Sequence, residues 1–592
     1  MHLQVLDWWI IAAFFVVSLF IGLSFARSSS KSTSQYFLGD RKMPWWLLGV
    51  SMVATTFSAD TPNLVTDIVR KGGVAGNWAW WAFLLTGMLT VFVYAKLWRR
   101  SGITTDLEFY ELRYSGKPAQ FLRGFRAIYL GFIFNVLIMA TVMLAGIKIS
   151  GIMLGLSPVV TVTIVSVITV IYASIGGFKG VIYTDFFQFG IAMIGMIIGC
   201  IYIVNLPEIG GLTSLLTNPA VQPRLNFVPD FSDKNLVVSL LVIPLAVQWW
   251  SVWYPGAEPG GGGYIAQRML SAKDEKNAIS ATLLFNIAHY ALRPWPWILI
   301  ALASLIMYPS LSDIANTFTG IDKNIVNDDL AFPAMLSHLP SGILGLIVAA
   351  LIAALMSTIS THLNWGSSYI VHDFYHRFIN KNADERTLVG VARISTVVLM
   401  ICSALLALKL SSALSAFNIL LQIGAGTGLI FILRWFWWRI NAVSEIVAMI
   451  VSFVVALVME LVIKDAWQSY EKLVFGVFVT TIAWLVAAFI STPTENAVLI
   501  RFYHLIKPHH FGWKRIIALG QKDGQIDIND AMTGKFINEL SLMILGCFLV
   551  YGILFGTGFL IYGAYLYALI AGVVACICSF VMMKLWQRNY TY

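Results

Sequence analysis

Long apolar runs, broken by short polar segments, repeat along the whole chain. A helix needs about 20 apolar residues to cross a bilayer. Runs of that order lie at 6–26, 45–69, 78–98, 124–150, 157–175, 181–205, 235–254, 277–307, 341–371, 389–410, 412–434, 441–463, 471–490, 537–560 and 563–585. The pattern predicts an all-α polytopic membrane protein with about 15 spans. Lys and Arg concentrate in alternate connecting segments, above all 27–44, 99–126 and 501–535. That asymmetry places the N-terminus outside and the C-terminus inside. Met1–Asp7 has no Lys or Arg, and the apolar run after it exceeds a signal h-region, so it reads as the first span.

Composition sharpens this picture. Of 592 residues, 58% are hydrophobic and only 12% charged, against roughly 25% charged in a soluble globular chain. Mean hydropathy is +0.78. A water-soluble globule and a disordered chain are both excluded. The net charge of +9 sits in the connecting segments, where it reports orientation, and no nucleic-acid partner is expected. The five cysteines lie in apolar runs without metal spacing, so neither a metal centre nor a disulfide framework is expected. The longest inside polar stretch, 492–536, is too short for an enzymatic domain.

Polar groups at membrane depth are costly and need a partner or a purpose. The second span carries Thr55, Thr56, Ser58, Asp60, Thr61 and Asn63 around Pro62. Proline removes a backbone donor and clashes with the preceding turn. A helix broken here frees carbonyls for a hard cation; a kinked helix with Asp60 paired to a base is the competing account. The ninth span carries Ser357, Thr358, Ser360 and Thr361. These hydroxyls suit Na⁺, and close helix packing enriches the same residues. In the eighth span His289 and Arg293 share a face at i, i+4, as a solute-binding pair or as an arginine reaching for the interface. Asp185 reads as an ion ligand or a helix cap. Pro255–Gly263, with its run Gly260–Gly263, lacks the Lys-Ser/Thr of a phosphate loop and reads as an unwound, mobile segment. Breaks in the second and seventh spans are what an inverted-repeat transporter requires.

Together the motifs FLGDRKMPWWLLGVSMVATTFSAD, GITTDLEFYELRY, YASIGGFKGVIYTDFFQ, YIAQRMLSAKD and AALMSTIST resemble the sodium:solute symporter family over roughly residues 5–435. That family includes sodium–sugar, sodium–proline and sialic-acid cotransporters. The resemblance implies a leucine-transporter-like fold of two inverted five-helix repeats. Here these would be 45–205 and 206–434, with 1–44 in front and peripheral spans in 435–592. It implies Na⁺ at Ala54, Phe57, Ala354, Ser357 and Thr358, and a second Na⁺ at Asp185, Ser357, Ser360 and Thr361. The sugar-binding positions are rewritten: Thr61, Trp80 and His289 stand where sugar cotransporters carry their Gln, acid and Lys. Tyr254 corresponds to their gating Tyr, and Asp60, Arg293 and Gln422 complete the expected solute site. Arg293 with His289 would suit an acidic sugar or another carboxylate.

The expectation is therefore a transporter and not an enzyme. It is a sodium-coupled symporter of the plasma membrane, with Na⁺ as coupling ion and no organic cofactor. Its solute is small and polar: a sugar, a sugar acid or a relative. A proton-coupled carrier using Asp60 or Asp185, or a sensor that binds solute without moving it, are the alternatives.

Overall fold

The computed structural model describes residues 3–25, 32–251, 258–318, 326–410, 426–463, 466–526 and 536–590. Among these, every regular element is a helix, and the one β-bridge joins Met43 to Ala272. The principal helices are α1 (Val5–Ser24), α2 (Trp45–Thr56), α3 (Asp60–Gly72), α4 (Val74–Ser101), α5 (Gly116–Leu154) and α6 (Pro158–Val204). They continue with α7 (Lys234–Ala246), α8 (Gly263–Ser271), α9 (Glu275–Met307), α10 (Ile343–Ile379), α11 (Glu385–Ala407) and α12 (Ala442–Val458). The last four are α13 (Ser469–Ile490), α14 (Asn496–Ile506), α15 (Phe536–Ile561) and α16 (Tyr565–Tyr590). Among the described residues, ten helical stretches are long and apolar enough to cross a membrane.

The exterior is apolar and the polar side chains turn inward, as lipid demands. Ile194, Ile197 and Ile201 of α6 and Phe478 and Phe489 of α13 are exposed, whereas Asp185, Arg268, Ser357, Thr361 and His362 are fully buried. The long α6 packs along α10 and α1, α2 lies against α9, and α15 pairs with α16. The fifth and sixth predicted spans are the two halves of α6, which break at Gly177, whose φ of 56° and ψ of −157° are non-helical and favour glycine.

Two breaks shape the interior. The first falls earlier than Pro62 suggests. Helix α2 ends at Thr56, Phe57 leaves the helical region at ψ 77°, and α3 restarts at Asp60. Pro62 therefore sits in the first turn of α3, where its missing N–H costs nothing. The second lies between α7 and α8. From Glu258 onward the glycine segment is unwound, as expected. Gly260 and Gly261 hold φ of 86° and 84°, values that a side chain would strain.

From Glu258 to Gly263 that segment is held by contacts with its neighbours; residues 255–257 lie outside the described residues. Trp98 Nε1 donates to the Gly260 carbonyl at 2.8 Å and the Gly263 amide donates to Asp106 Oδ2 at 2.8 Å. Glu258 pairs with Arg126, and with Arg434 at 2.9 Å. Arg268, Arg126 and Arg434 are thus buried within the protein. Their counterparts are protein groups: Glu258 for Arg126 and Arg434, and Asp185 for Arg268.

Candidate functional site

The break in α2 brings together two groups of side chains, one facing α10 and one facing α9. On the α10 side the last carbonyls of α2 have no partner further along their own helix. Thr358 Oγ1 donates to the Thr55 carbonyl at 2.9 Å and lies 3.1 Å from the Ala354 carbonyl. The Phe57 amide lies 2.9 Å from the Val53 carbonyl and 3.1 Å from that of Ala54. Ala54, Phe57, Ala354, Ser357 and Thr358 are all buried. The result is a set of neutral oxygens at a helix C-terminus, the negative end of its dipole. This suits a monovalent hard cation and no transition metal.

One turn away, Asp185 is buried in the middle of α6, which removes the cap reading. Its carboxylate accepts from Ser51 Oγ at 2.6 Å and Ser357 Oγ at 2.7 Å. Ser357 thus turns its hydroxyl to Asp185. Thr361 Oγ1 lies 3.0 Å from Thr55 Oγ1. Ser360 donates to the Ser357 carbonyl at 3.0 Å, along its own helix. Sequence reasoning missed two members of this cluster, Ser51 and Arg268. Arg268 NH2 donates to Thr361 Oγ1 at 2.8 Å and to Ser51 Oγ at 3.0 Å, and lies 3.5 Å from Asp185 Oδ2. Ser51 was legible as the residue one turn before Thr55 on the same face. Arg268 was hidden because a short helix after a glycine run resembles the start of a loop.

On the α9 side the helix widens into a π-turn over Ala288–Leu292, and the Arg293 amide donates to the Ala288 carbonyl at 3.3 Å. Such bulges recur at functional sites. Pro294 follows and can donate nothing. The bulge turns Arg293 inward, where it is 2% exposed, so it does not snorkel to the interface. Its Nε donates to the His289 carbonyl at 3.1 Å, NH1 to Thr56 Oγ1 at 3.3 Å and NH2 to His289 Nε2 at 3.2 Å. A guanidinium can only donate. His289 Nε2 therefore accepts, and the ring is neutral with its proton on Nδ1, which faces Thr56 Oγ1 at 3.0 Å. Among the described residues no carboxylate oxygen lies within 4.0 Å of the Arg293 nitrogens.

Aromatic rings pack around this group. Trp297 lies under Arg293 at 5.3 Å and stacks on Phe57 at 5.1 Å. Trp80 stacks on Tyr290 at 5.8 Å and donates from Nε1 to Asn77 Oδ1 at 2.8 Å. Asp60 and Thr61, both half-buried, open α3. Asp60 Oδ1 and Asn63 Oδ1 accept no hydrogen bond, and Thr61 Oγ1 reaches back to the Thr56 carbonyl at 3.4 Å. Thus Asp60, Thr61, Trp80, His289 and Arg293 are carried by α3, α4 and α9 beside the break. Tyr254 and Gln422 lie outside the described residues.

Comparison with known proteins adds four findings. A family model described as the sodium:solute symporter family matches residues 36–452. The chain is 25% identical to the sodium/glucose cotransporter of Vibrio parahaemolyticus, covering 77% of this chain and 85% of that one. It is 26% identical to the sodium/sialic acid symporter of Proteus mirabilis, covering 76% and 88%. The fold resembles a solved Na⁺-coupled sialic acid symporter in a substrate-bound outward-open state, with a TM-score of 0.68 and 23% identity, over 83% of this chain and 99% of that one.

Proposed function

The chain belongs to the sodium:solute symporter family and is a multi-pass, Na⁺-coupled solute symporter; on that premise we propose that it imports a small acidic polar solute of the sugar-acid class. The observation that carries the substrate class is Arg293: a buried cation, fixed by His289 and Thr56, whose one carboxylate neighbour, Asp60, acts on it from beyond ion-pair distance and leaves its donors without an anionic acceptor among the described residues. Buried charges are paired, so the guanidinium calls for an anionic group on the solute. A charge-assisted, two-pronged contact with a carboxylate meets that demand. Asp60 Oδ1 and Asn63 Oδ1, both without hydrogen bonds, are acceptors for solute hydroxyls. Trp80, Tyr290 and Trp297 provide apolar ring faces. Tyr254 and Gln422 belong to the same reading as solute contacts.

Na⁺ binds, in this reading, where α2 meets α10, among the oxygens of Ala54, Phe57, Ala354, Ser357 and Thr358. Bound there it ties the broken helix to α10 and favours the outward-open state. Its departure to the inside lets the two part, and solute follows. Coupling is the difference between the Na⁺ affinities of the two states. The membrane potential adds about 2.3 kcal/mol per charge for each 100 mV. The topology that goes with this is two inverted five-span repeats, 45–205 and 206–434, preceded by 1–44 and followed by peripheral spans in 435–592. About 15 spans cross the plasma membrane, with the N-terminus outside.

A thermal-stability screen of the purified protein tests the proposal, with sugars, sugar acids, amino acids and neutral polyols, each in Na⁺ and in K⁺. A ligand of the folded state raises the midpoint by mass action. The expected result is stabilisation by a carboxylate-bearing sugar in Na⁺ only, lost in Arg293→Gln. Stabilisation by a neutral sugar that survives Arg293→Gln refutes the substrate class.

A further inference from the structure

Asp185 lies where the family resemblance leads one to expect a second Na⁺, yet a cation already stands there. The guanidinium of Arg268 reaches Thr361 Oγ1 at 2.8 Å, Ser51 Oγ at 3.0 Å and 3.2 Å, and Asp185 Oδ2 at 3.5 Å. Both carboxylate oxygens accept hydroxyl protons, from Ser51 and Ser357. The side chains of Arg268 and Asp185 are each 1% exposed. The rings of Phe178 and Tyr264 cover the guanidinium at 5.6 Å and 5.7 Å. The cluster draws on four helices, α2, α6, α8 and α10.

We propose that Arg268 is the tethered cation of this cluster, standing in for a second Na⁺, so that one Na⁺ accompanies each solute. The reading rests on the Na⁺ symport argued above. Its physical basis is charge and lone-pair bookkeeping. Asp185 supplies one negative charge and Arg268 neutralises it. A Na⁺ added to the pair would stand directly beside the guanidinium in a water-excluded space, where like charges repel strongly. It would also compete for oxygens of Asp185, Thr361 and Ser51 that already accept hydrogen bonds. Arginine stays charged at any physiological pH and presents its donors as a rigid fork. Unlike Na⁺, it cannot leave. It is anchored on α8, directly after the unwound 258–262 stretch, so the cation travels with that helix instead of crossing the membrane.

Equilibrium binding of ²²Na⁺ to the purified full-length chain, counted as ions per protein molecule, tests this. Wild type is expected to saturate at one Na⁺. Arg268→Gln vacates the cluster and is expected to saturate at two. Arg268→Lys keeps a tethered charge and is expected to stay at one. Two Na⁺ bound to wild type overturn the inference while leaving Na⁺ symport intact. One Na⁺ bound to a folded Arg268→Gln overturns it as well. If Arg268→Gln does not fold, the counts for wild type and Arg268→Lys still decide. A folded wild type that binds no Na⁺ refutes the α2–α10 site, and this inference with it.

Discussion

Arg268 and Arg293 are both buried, at 1% and 2% exposure. Each lies against an aromatic face and next to a helix break or bulge. They differ in what neutralises them. Arg268 has Asp185 within 3.5 Å and two hydroxyls closer still. Arg293 has a neutral histidine, a carbonyl and one hydroxyl. A charge satisfied by the protein belongs to the scaffold of the cycle. A charge left unsatisfied is kept for something that arrives. In a membrane protein, where burying an ion is costly, that distinction separates a structural arginine from a ligand-binding one.

The comparison makes its strongest demand on stability. Removing one partner of a buried pair strands the other. Arg268→Met should therefore lower unfolding stability by about 3–5 kcal/mol, and Arg268→Met with Asp185→Asn should recover much of that loss. Arg293→Met breaks no ion pair within 4.0 Å and removes only the longer-range attraction to Asp60, so the solute-free loss should be smaller than that of Arg268→Met. Chemical denaturation of the three variants without solute checks this; equal losses at the two arginines would erase the distinction.

Solute binding should show the reverse pattern. Arg293→Met should weaken the acidic solute by about 2–5 kcal/mol, roughly 30- to several-thousand-fold, with Na⁺-induced stabilisation retained. Isothermal titration in saturating Na⁺ measures it.

The ion site should respond more modestly. Thr358→Ala deletes one hydroxyl between Thr55 and Ala354, which costs about 1–3 kcal/mol when its partners stay buried. The Na⁺ concentration for half-maximal uptake should rise roughly 5- to 150-fold. An unchanged sodium dependence would remove Thr358 from the site.

The smallest effect marks the other end of the scale. Lys71 pairs with Asp67 at 2.7 Å, but its side chain is 57% exposed. Lys71→Ala should cost no more than about 1 kcal/mol, because the exposed ammonium is half of the pair while Asp67, 12% exposed, keeps only partial access to water. A loss as large as that of Arg268→Met would show that pairing outweighs burial in this protein.

Much of the site was legible in order and type. Pro62 and the hydroxyls around it announced a broken helix, and the spacing of Ser357, Ser360 and Thr361, with Thr358 beside them, announced a polar face on α10. The exact break was not legible. Proline tolerates a helix's first turn, so Pro62 is equally consistent with a break before it or a kink at it. Arg268 was not legible either. A charge near the end of an apolar run looks alike in sequence whether water or Asp185, 83 positions away, satisfies it. Nor could the sequence tell that Glu258 holds the glycine segment to Arg126 and Arg434.

Local chemistry determined what the sequence by itself could determine. Apolar run length set the membrane class and the helical fold, because lipid leaves backbone groups only internal partners. The motifs set the family, and residue type set which side chains could hold Na⁺ or a carboxylate. The tertiary structure decided which charges are spoken for. That is a property of pairs distant in the chain, and only packing brings Asp185 against Arg268 and holds Asp60 beyond ion-pair distance of Arg293.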